Sequence, residues 1–210
     1  MTTRGTLVLP ADRLDSIAEA VALLRAGELV AFPTDTVYGV GAHAFMEAAV
    51  ASLYVVKERT LEKAIPLLLS SGGDLSQVAE PVPVLAWTLA RQFWPGALTL
   101  VVPKGPAVLD VVSPGPGVAV RVPDHPAAIE LIRRLGAPLA TTSANLSGGP
   151  SPTTAEEVLE QLAGRIALIL DGGPCAGGVP STVLDLTTSP PRILRAGGIP
   201  AEALAKVIGL

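Results

Sequence analysis

The sequence of 210 residues predicts an α/β fold, a single three-layer domain that spans residues 1–210. Segments with the apolar spacing of an amphipathic helix alternate along the chain with short apolar runs typical of strands. No linker and no internal repeat interrupts this alternation. Such a pattern favours one sheet with helices on both faces. The polar motifs fall at strand ends or in loops, where open α/β sheets commonly carry their sites.

The first half of the chain opens with a helix. Asp12 is predicted as its N-cap, apolar residues recur at helical spacing from Leu14 to Leu24, and Gly27 ends it. The segments that follow are predicted as strand, helix, strand, helix and strand over residues 29–32, 46–57, 65–69, 84–93 and 98–102. The sequence Trp-Pro-Gly at 94–96 ends the last of these helices, because proline and glycine interrupt helical structure.

In the second half, a turn at 113–117 leads into an alternating strand. Val118, Val120 and Val122 point to one face, which places Arg121 on the opposite face. The remaining elements are a helix over 128–135, a helix opened by a capping box at 153–156, strands at 166–170, 183–186 and 193–194, and a short helix that begins at Pro200. The capping-box helix is predicted to turn Val158, Leu159 and Leu162 inward.

Composition excludes several classes of protein. The net charge of −4 and an aromatic content of 3% disfavour a protein that binds nucleic acid over its whole surface or stacks bases. No uncharged apolar run is long enough for a membrane span, and the N-terminus lacks the apolar core of a signal peptide. Cys175 is the only cysteine, so no disulfide forms within the chain. Together these features predict a cytoplasmic protein.

The most polar stretch of the chain lies at 140–149 and follows an apolar run. Short hydroxyl and amide side chains crowd into seven residues, and two glycines follow: the polar residues are Thr141, Thr142, Ser143, Asn145 and Ser147. Hydroxyls and free backbone N–H groups bind phosphate or carboxylate oxygens. This stretch is therefore predicted to bind an anionic ligand.

Cations gather near a second polar motif at 32–41, in a chain in which only 16% of residues are charged. Arg59 and Lys63 are candidate anion ligands, with ordinary surface charge as the alternative. Arg121 and Arg195 are stronger candidates, because each is flanked by strand residues or glycines and needs a buried partner or a ligand. A glycine loop at 172–178 that ends in hydroxyls is a weaker candidate.

Other reactive residues carry less information. His43 and His125 lack the spacing of metal ligands and are interpreted as structural or exposed, and Cys175 is interpreted as an inert thiol. Asp35, between two threonines, is a base, a magnesium neighbour or, slightly favoured, a turn former. Neither a Walker A motif nor a dinucleotide fingerprint occurs.

Seven short motifs occur in an order found in a known family. They are Phe32-Pro-Thr-Asp-Thr-Val-Tyr-Gly39, Lys57-x-Arg59, Trp94-Pro-Gly-x-Leu-Thr99, Val120-Arg-Val-Pro123, Thr142-Ser-Ala-Asn-Leu-Ser-Gly148, Ser181-Thr-Val-x-Asp185 and Arg195-x-Gly197. On these residues the chain resembles the YrdC/TsaC family, the threonylcarbamoyl-AMP synthases. The likeness runs from about residue 6 to the C-terminus.

The resemblance implies an activity. Family members convert L-threonine, bicarbonate and ATP to L-threonylcarbamoyladenylate, diphosphate and water. A threonylcarbamoyl-transferase complex then moves the threonylcarbamoyl group to an adenosine of tRNAs that read ANN codons. The resemblance also implies Mg²⁺ carried by the ATP phosphates, possible weak tRNA binding, and a twisted mixed sheet with helices around a concave cationic cavity.

Site residues follow from the same resemblance, position by position. The threonine site would comprise Thr36, Arg121, Thr141 and Ser181; the ATP site would comprise Arg59, Lys63, Ser143, Ser151 and Arg195; the catalytic tetrad would be Lys57, Arg59, Ser143 and Asn145. No protein ligand to a metal is implied. Thr60 stands where proline is common in the family, and the chain resembles the short form that lacks an extra C-terminal domain.

Two alternatives remain open. The first is a relative that makes a carbamoyl-adenylate, as does the YrdC-like domain of hydrogenase maturation proteins. The second is a non-catalytic RNA-binding module built on the same cationic cavity, which the acidic net charge and low aromatic content disfavour.

Overall fold

The computed structural model describes residues 5–58, 60, 63–175 and 179–209. Within these ranges the strands are β1 (Leu7–Pro10), β2 (Val30–Phe32), β3 (Gly39–His43), β4 (Leu67–Leu68), β5 (Leu98–Pro103), β6 (Gly117–Arg121), β7 (Leu139–Ser143), β8 (Leu168–Asp171), β9 (Thr182–Asp185) and β10 (Arg192–Arg195). The helices are α1 (Leu14–Arg25), α2 (Glu47–Lys57), α3 (Val84–Phe93), α4 (Pro126–Leu135), α5 (Ala155–Leu162) and α6 (Ala201–Ile208), with a 3-10 helix over Gly72–Gln77.

All these strands join one mixed sheet. Its order is β1-β8-β2-β3-β7-β4-β6-β5-β9-β10, so the strands of the polar motifs, β3 and β7, lie at its centre. The β1–β8, β2–β8, β4–β6 and β5–β9 pairs are parallel, and the other pairs are antiparallel. The predicted mixed sheet is confirmed.

Alternate residues of the central strands divide between two apolar cores, one on each face of the sheet. Phe32 of β2 and Leu139 of β7 pack with α1 and α4, whereas Ala31 and Ala140 pack on the other face with α2, α3 and α5. This arrangement confirms the predicted helices on both faces. None of the described helices has the length and apolar character that crossing a membrane requires.

Strand β6 follows the predicted alternation. Val118 and Val120 are fully buried in the core that contains α2, α3 and α5. Arg121 is the last residue of β6 and takes the opposite face, as predicted, next to Leu68 of β4. Its position at a strand end gives its long side chain access to the loops that lie beyond the sheet.

Two predicted helix starts are wrong by one residue. The N-cap of α1 is Arg13, not Asp12, and its side chain makes no capping hydrogen bond. Helix α5 begins after Thr154, whose hydroxyl accepts a hydrogen bond from Glu157 N at 3.3 Å. Val158 and Leu162 are buried as predicted, together with Ala155, but Leu159 lies at the edge of that face and is 37% exposed.

Strand lengths differ from the predictions where glycine or proline intervenes. The predicted strand at 65–69 is reduced to the two residues of β4, although the backbone around it stays bonded: Ile65 N donates to Val112 O and Leu69 N donates to Arg121 O. Strand β3 was not predicted, because Gly39 and Gly41 have low strand propensity. Its pairing with β2 and β7 overrides that propensity.

The glycines of β3 are required by close packing. A Cβ at Gly39 would lie 2.8 Å from Thr141 Cγ2, and one at Gly41 would lie 2.9 Å from the Phe32 ring. Both distances are shorter than van der Waals contact. Phe32 and Thr141 therefore occupy the space that side chains on β3 would fill.

We expect Gly39→Ala to lower the free energy of unfolding by about 1–3 kcal/mol, the usual cost of overpacking. Adding Thr141→Ser should recover part of that loss, because serine lacks the Cγ2 atom that the new Cβ contacts. Urea denaturation measures both. The control is Gly115→Ala, which has no neighbouring atom within 4 Å. An equal loss in both alanine variants would contradict the packing argument.

Candidate functional site

The polar stretch after residue 140 belongs partly to the sheet. Strand β7 continues through Thr141 and Thr142 to Ser143, which pairs with Gly39, so these residues extend the strand instead of following it as predicted. Thr141 is buried and its hydroxyl donates to Leu139 O at 3.2 Å. The Ser143 hydroxyl has no hydrogen-bond partner among the described residues, and its side chain is half-buried. Ser143 therefore has a donor available for a ligand.

The loop between β2 and β3 is organised by Thr34. Its hydroxyl accepts from Thr36 N at 3.2 Å and Val37 N at 3.3 Å, and it donates to Val37 O at 2.7 Å. The Thr34 and Thr36 hydroxyl oxygens lie 3.0 Å apart, and both residues are buried. The turn predicted here therefore exists, but Thr34 and not Asp35 makes its hydrogen bonds.

Asp35 instead forms an ion pair with Arg121. Arg121 Nη2 donates to both carboxylate oxygens at 2.5 Å, Nε donates to Gly96 O at 2.8 Å, and Nη1 lies 3.4 Å from Thr36 Oγ1. Asp35 also accepts from Asp124 N at 3.1 Å. Burial lowers the pKa of Arg121, and the charge of Asp35 opposes that shift.

This ion pair bears on two predictions. Arg121 was predicted to need a buried partner or a ligand, and the structure provides Asp35 as a buried partner. For Asp35, the sequence showed only a carboxylate between two threonines. It did not indicate which cation would pair with that carboxylate. Arg121 is therefore already hydrogen-bonded to the protein, and it does not present an open guanidinium fork.

Ser181 and Arg195 form a second group. Arg195 donates from Nε and Nη2 to Ser181 O, at 3.1 and 2.9 Å, and from Nη2 to Ser181 Oγ at 3.1 Å. The Ser181 hydroxyl lies 2.7 Å from Thr99 Oγ1. The backbone at 96–97 joins this group to Arg121, because Arg121 Nε donates to Gly96 O and Thr182 N donates to Ala97 O at 3.0 Å.

Gly197 explains the second half of the Arg195-x-Gly197 motif. A Cβ at this position would overlap Pro180 O and Ser181 C. The backbone at Gly197 therefore packs directly against the segment that carries Ser181. This contact holds the backbone next to Arg195 in place and so positions its side chain near Ser181.

The third group surrounds Lys57, the last residue of α2. Its ammonium is buried and donates to Ser143 O, to Asn145 O at 2.5 Å, and to Asn145 Oδ1 at 3.4 Å. The Asn145 amide donates in turn to Leu146 O and Gly149 O, at 2.7 and 2.9 Å. Three members of the implied tetrad therefore lie together; the fourth, Arg59, lies outside the described residues.

Backbone hydrogen bonds bring these groups to one region. Tyr38 O accepts from Ala144 N and Tyr38 N donates to Pro152 O, both at 2.9 Å. The loop that carries Thr36 is thus held between the residues that follow Ser143 and those that follow Ser151. Ser151 is exposed at this edge. Lys63 is exposed as well, and its carbonyl accepts from Tyr54 Oη at 3.1 Å.

The glycine loop after β8 closes another side of the region. Tyr38 Oη donates to Gly173 O at 2.8 Å and accepts from Gly172 N at 3.1 Å, and burial raises the pKa of Tyr38 to about 12. Residues 176–178 of this loop lie outside the described residues. Burial also raises the pKa of the Cys175 thiol, which agrees with its interpretation as inert.

The two histidines have local structural roles. His125 is the N-cap of α4, where its side chain accepts from Ala127 N at 3.2 Å. The His43 imidazole accepts from Phe45 N at 3.3 Å. Burial lowers the pKa of both imidazoles. Over the described ranges, no group of three or more histidine, cysteine or acidic side chains could hold a metal ion.

A family model named for Sua5, YciO and YrdC, with the description "Telomere recombination", matches residues 22–197. The chain belongs to the Sua5/YciO/YrdC family. A threonylcarbamoyl-AMP synthase of Bacillus subtilis is 47% identical over 215 residues, which cover 100% of this chain and 62% of the relative. A relative from Mycobacterium tuberculosis is 43% identical over 202 residues and is covered to 93% of its length.

A solved family structure shares the fold. The structure of P. abyssi Sua5 complexed with L-threonine matches with a TM-score of 0.92 and 44% identity, over 97% of this chain and 61% of that one. The chain spans 62% of the length of the Bacillus subtilis relative. It spans 56% of the length of a second threonylcarbamoyl-AMP synthase, from Pyrococcus abyssi. The family fold proposed from the sequence motifs is confirmed.

In this family member the site combines fixed cations with short neutral donors. Lys57, Arg121 and Arg195 are held by backbone or side-chain acceptors, so little reorganisation accompanies ligand binding. Hydroxyls lie beside them at Thr36 and Ser181. Such an arrangement can position anionic groups but offers no histidine base.

Breaking the Asp35–Arg121 pair should be costly because its side chains are only 18% and 9% exposed. We expect Asp35→Asn or Arg121→Gln alone to lower the free energy of unfolding by about 3 kcal/mol, since each leaves a buried charge without its partner. The double variant should lose less than the sum, because it retains a neutral hydrogen-bonded pair. Urea denaturation of all three tests this coupling.

Asp110→Asn is the matched control. Asp110 pairs with Lys104 but is 89% exposed, so its loss should cost less than about 1 kcal/mol. Strictly additive losses in the double variant would show that Asp35 and Arg121 do not depend on each other.

Proposed function

We propose that this chain is an L-threonylcarbamoyladenylate synthase, a nucleotidyltransferase that uses L-threonine, bicarbonate and ATP. The observation that carries the proposal is the grouping of Thr36, Arg121 and Ser181 with Lys57 and Ser143 in a fold that matches Sua5 complexed with L-threonine. The 47% identity to a Bacillus subtilis threonylcarbamoyl-AMP synthase over the whole of this chain supports the same activity.

The proposed reaction needs positioning more than acid–base catalysis. The neutral amine of threonine and bicarbonate form a carbamate with loss of water. A carbamate oxygen then attacks the α-phosphorus of ATP, and diphosphate leaves. Because the carbamate oxygen is itself the nucleophile, no strong general base is required. Fixed cations and hydroxyl donors that hold the two anions together supply the main catalytic effect.

The residues divide between the two substrates. Thr36, Arg121, Thr141 and Ser181 would hold threonine, and these four are buried. Arg59, Lys63, Ser143, Ser151 and Arg195 would hold ATP, and Lys57 with Asn145 would fix the loop between them. Ser151 and Lys63 are exposed, as suits contacts to a nucleotide that enters from solvent.

Magnesium belongs to the nucleotide in this proposal. The described residues form no acidic cluster that could hold the ion. Mg²⁺ would therefore enter with the ATP phosphates, which suit a hard cation. The protein would contribute only the cations and hydroxyls that orient those phosphates.

The product implies partners. Its acyl-phosphate anhydride is unstable in water, so we propose that a threonylcarbamoyl-transferase complex takes it up for modification of tRNAs that read ANN codons. ATP, threonine and tRNA meet in the cytoplasm, which is the proposed location. We also propose that residues 1–210 act as one YrdC-like domain.

The first functional prediction concerns substrate dependence. Release of diphosphate and formation of a new adenylate should require both L-threonine and bicarbonate, because the carbamate is the nucleophile. Diphosphate release and mass spectrometry of the nucleotides measure this. Equal turnover without threonine would contradict the proposal, and turnover only when a carbamoyl donor replaces threonine and bicarbonate would favour a carbamoyl-adenylate-forming relative. Tight tRNA binding in a gel-shift assay, with no turnover, would favour the RNA-binding module.

A matched pair of serines in the same motif controls that assay. Ser143→Ala removes a half-buried hydroxyl next to Lys57 and should lower turnover about a hundredfold, as loss of a positioned donor does. Ser147→Ala removes an exposed hydroxyl from the same loop and should leave turnover unchanged.

The second functional prediction concerns the choice of amino acid. Valine has nearly the shape of threonine but lacks the hydroxyl that could bond to the polar pocket lined by the buried Thr36 and Ser181, whereas serine lacks only a methyl group worth about 1–3 kcal/mol. Serine should therefore compete with threonine better than valine does. Competition assays under turnover conditions decide it, and stronger inhibition by valine would contradict the proposed pocket.

A further inference from the structure

The wall of the candidate threonine site carries two opposite charges side by side. Arg121 and Asp35 are paired at 2.5 Å, yet the Asp35 side chain remains 18% exposed. The pair lies directly against Thr36, which is bonded to Arg121 Nη1. A ligand that reaches Thr36 therefore meets a carboxylate as well as a guanidinium.

A count of hydrogens shows how little of Arg121 is left for a ligand. Its Nε donates to Gly96 O, its Nη2 donates to the two oxygens of Asp35, and one N–H of Nη1 is directed at Thr36 Oγ1. Within the described part of the chain, the second N–H of Nη1 has no acceptor. Arg121 can therefore give a ligand carboxylate a hydrogen bond from Nη1, while Nε and Nη2 are held by the protein.

The same count favours Thr36 as a hydrogen-bond acceptor toward a ligand. Thr34 has a single hydroxyl hydrogen, which it donates to Val37 O at 2.7 Å. Either oxygen can donate in the 3.0 Å contact between the two hydroxyls, and the Thr34 hydrogen already directed at Val37 O favours Thr36 in that role. The Thr36 oxygen also faces Arg121 Nη1. Its other lone pair can accept a hydrogen bond from a ligand.

We propose that Asp35 is a specificity-determining residue that makes this site select a zwitterionic α-amino acid over carboxylic acids that lack an amine. In the bound zwitterion the ligand ammonium lies beside Asp35 and the Thr36 oxygen, and the ligand carboxylate takes an N–H of Arg121 Nη1. The ammonium then releases one proton to solvent, which gives the neutral amine that reacts with bicarbonate. This inference rests on the proposed function, because it assumes an amino-acid substrate.

The chemistry of the other substrates explains why a carboxylate beside Arg121 would be useful. Bicarbonate and the ATP phosphates are anions, and an unpaired buried guanidinium would attract each of them. Asp35 neutralises that attraction at the amino-acid position. Asp35 repels the carboxylate of a zwitterion but attracts its ammonium, so the two effects offset each other. A simple anion is only repelled.

Direct binding separates this selectivity from turnover. Isothermal titration calorimetry without ATP or bicarbonate would compare L-threonine with (R)-3-hydroxybutyrate, the same molecule without its amine. Wild type should prefer threonine by about tenfold or more, the usual effect of a hydrogen bond to a charged group. Asp35→Asn should weaken threonine binding and strengthen hydroxybutyrate binding.

Two further variants keep the result interpretable. Asp35→Asn combined with Arg121→Gln removes both charges and should bind both ligands weakly, with the preference for threonine lost. Asp124→Asn removes an exposed neighbouring carboxylate and should bind both ligands as wild type does. If the single variant does not fold, the preference lost in the double variant tests the inference.

The binding results distinguish the inference about Asp35 from the proposed function. Opposite shifts for the two ligands in Asp35→Asn support the inference. Equal shifts for both ligands, or an unchanged preference in the double variant, overturn it and leave the proposed function standing. Failure of wild type to bind L-threonine overturns the proposed function together with the inference.

Discussion

The ion pair between Asp35 and Arg121 ties together parts of the sheet that lie far apart. Asp35 follows β2 and Arg121 ends β6, and the strands β3, β7 and β4 lie between them. Across a flat sheet these four steps would span about 19 Å. The loop after β2 must therefore arch over the ends of three strands to reach Arg121. That arch places Thr36 and Tyr38 above the polar end of β7, and the segments that follow β7 and β8 are bonded to it.

Buried cations impose the second constraint on this region. Lys57 and Arg121 each stand at the end of a regular element, where their charges leave the apolar core but do not reach water. Each must find acceptors, and each finds backbone carbonyls of a neighbouring loop. The loops are folded around the cations as a result. Binding geometry is thus prepared by the same contacts that stabilise the fold.

The sequence predicted the layers well and the contacts poorly, for physical reasons. Apolar spacing is local, so α2 and α3 and the alternation of β6 could be inferred directly. Strand β3 was missed because its glycines reflect a steric limit set by Phe32 and Thr141. These two residues lie against β3 only in the folded sheet. The role of Asp35 was missed for the same reason, since its partner lies 86 positions away in sequence. Site residues came from ordered motifs, not from local physics.

The glycines of β3 limit how this site can change during evolution. Beneath Thr141 the strand offers no side chain that mutation could trim, and any larger residue would displace Phe32 or Thr141. Substitutions in β3 can therefore do little to deepen the pocket on the side that the sheet forms. New substrate preferences in descendants of this protein would have to arise from the loops that carry Asp35, Ser143 and Ser181. The exposed positions of those loops can vary without disturbing the two apolar cores.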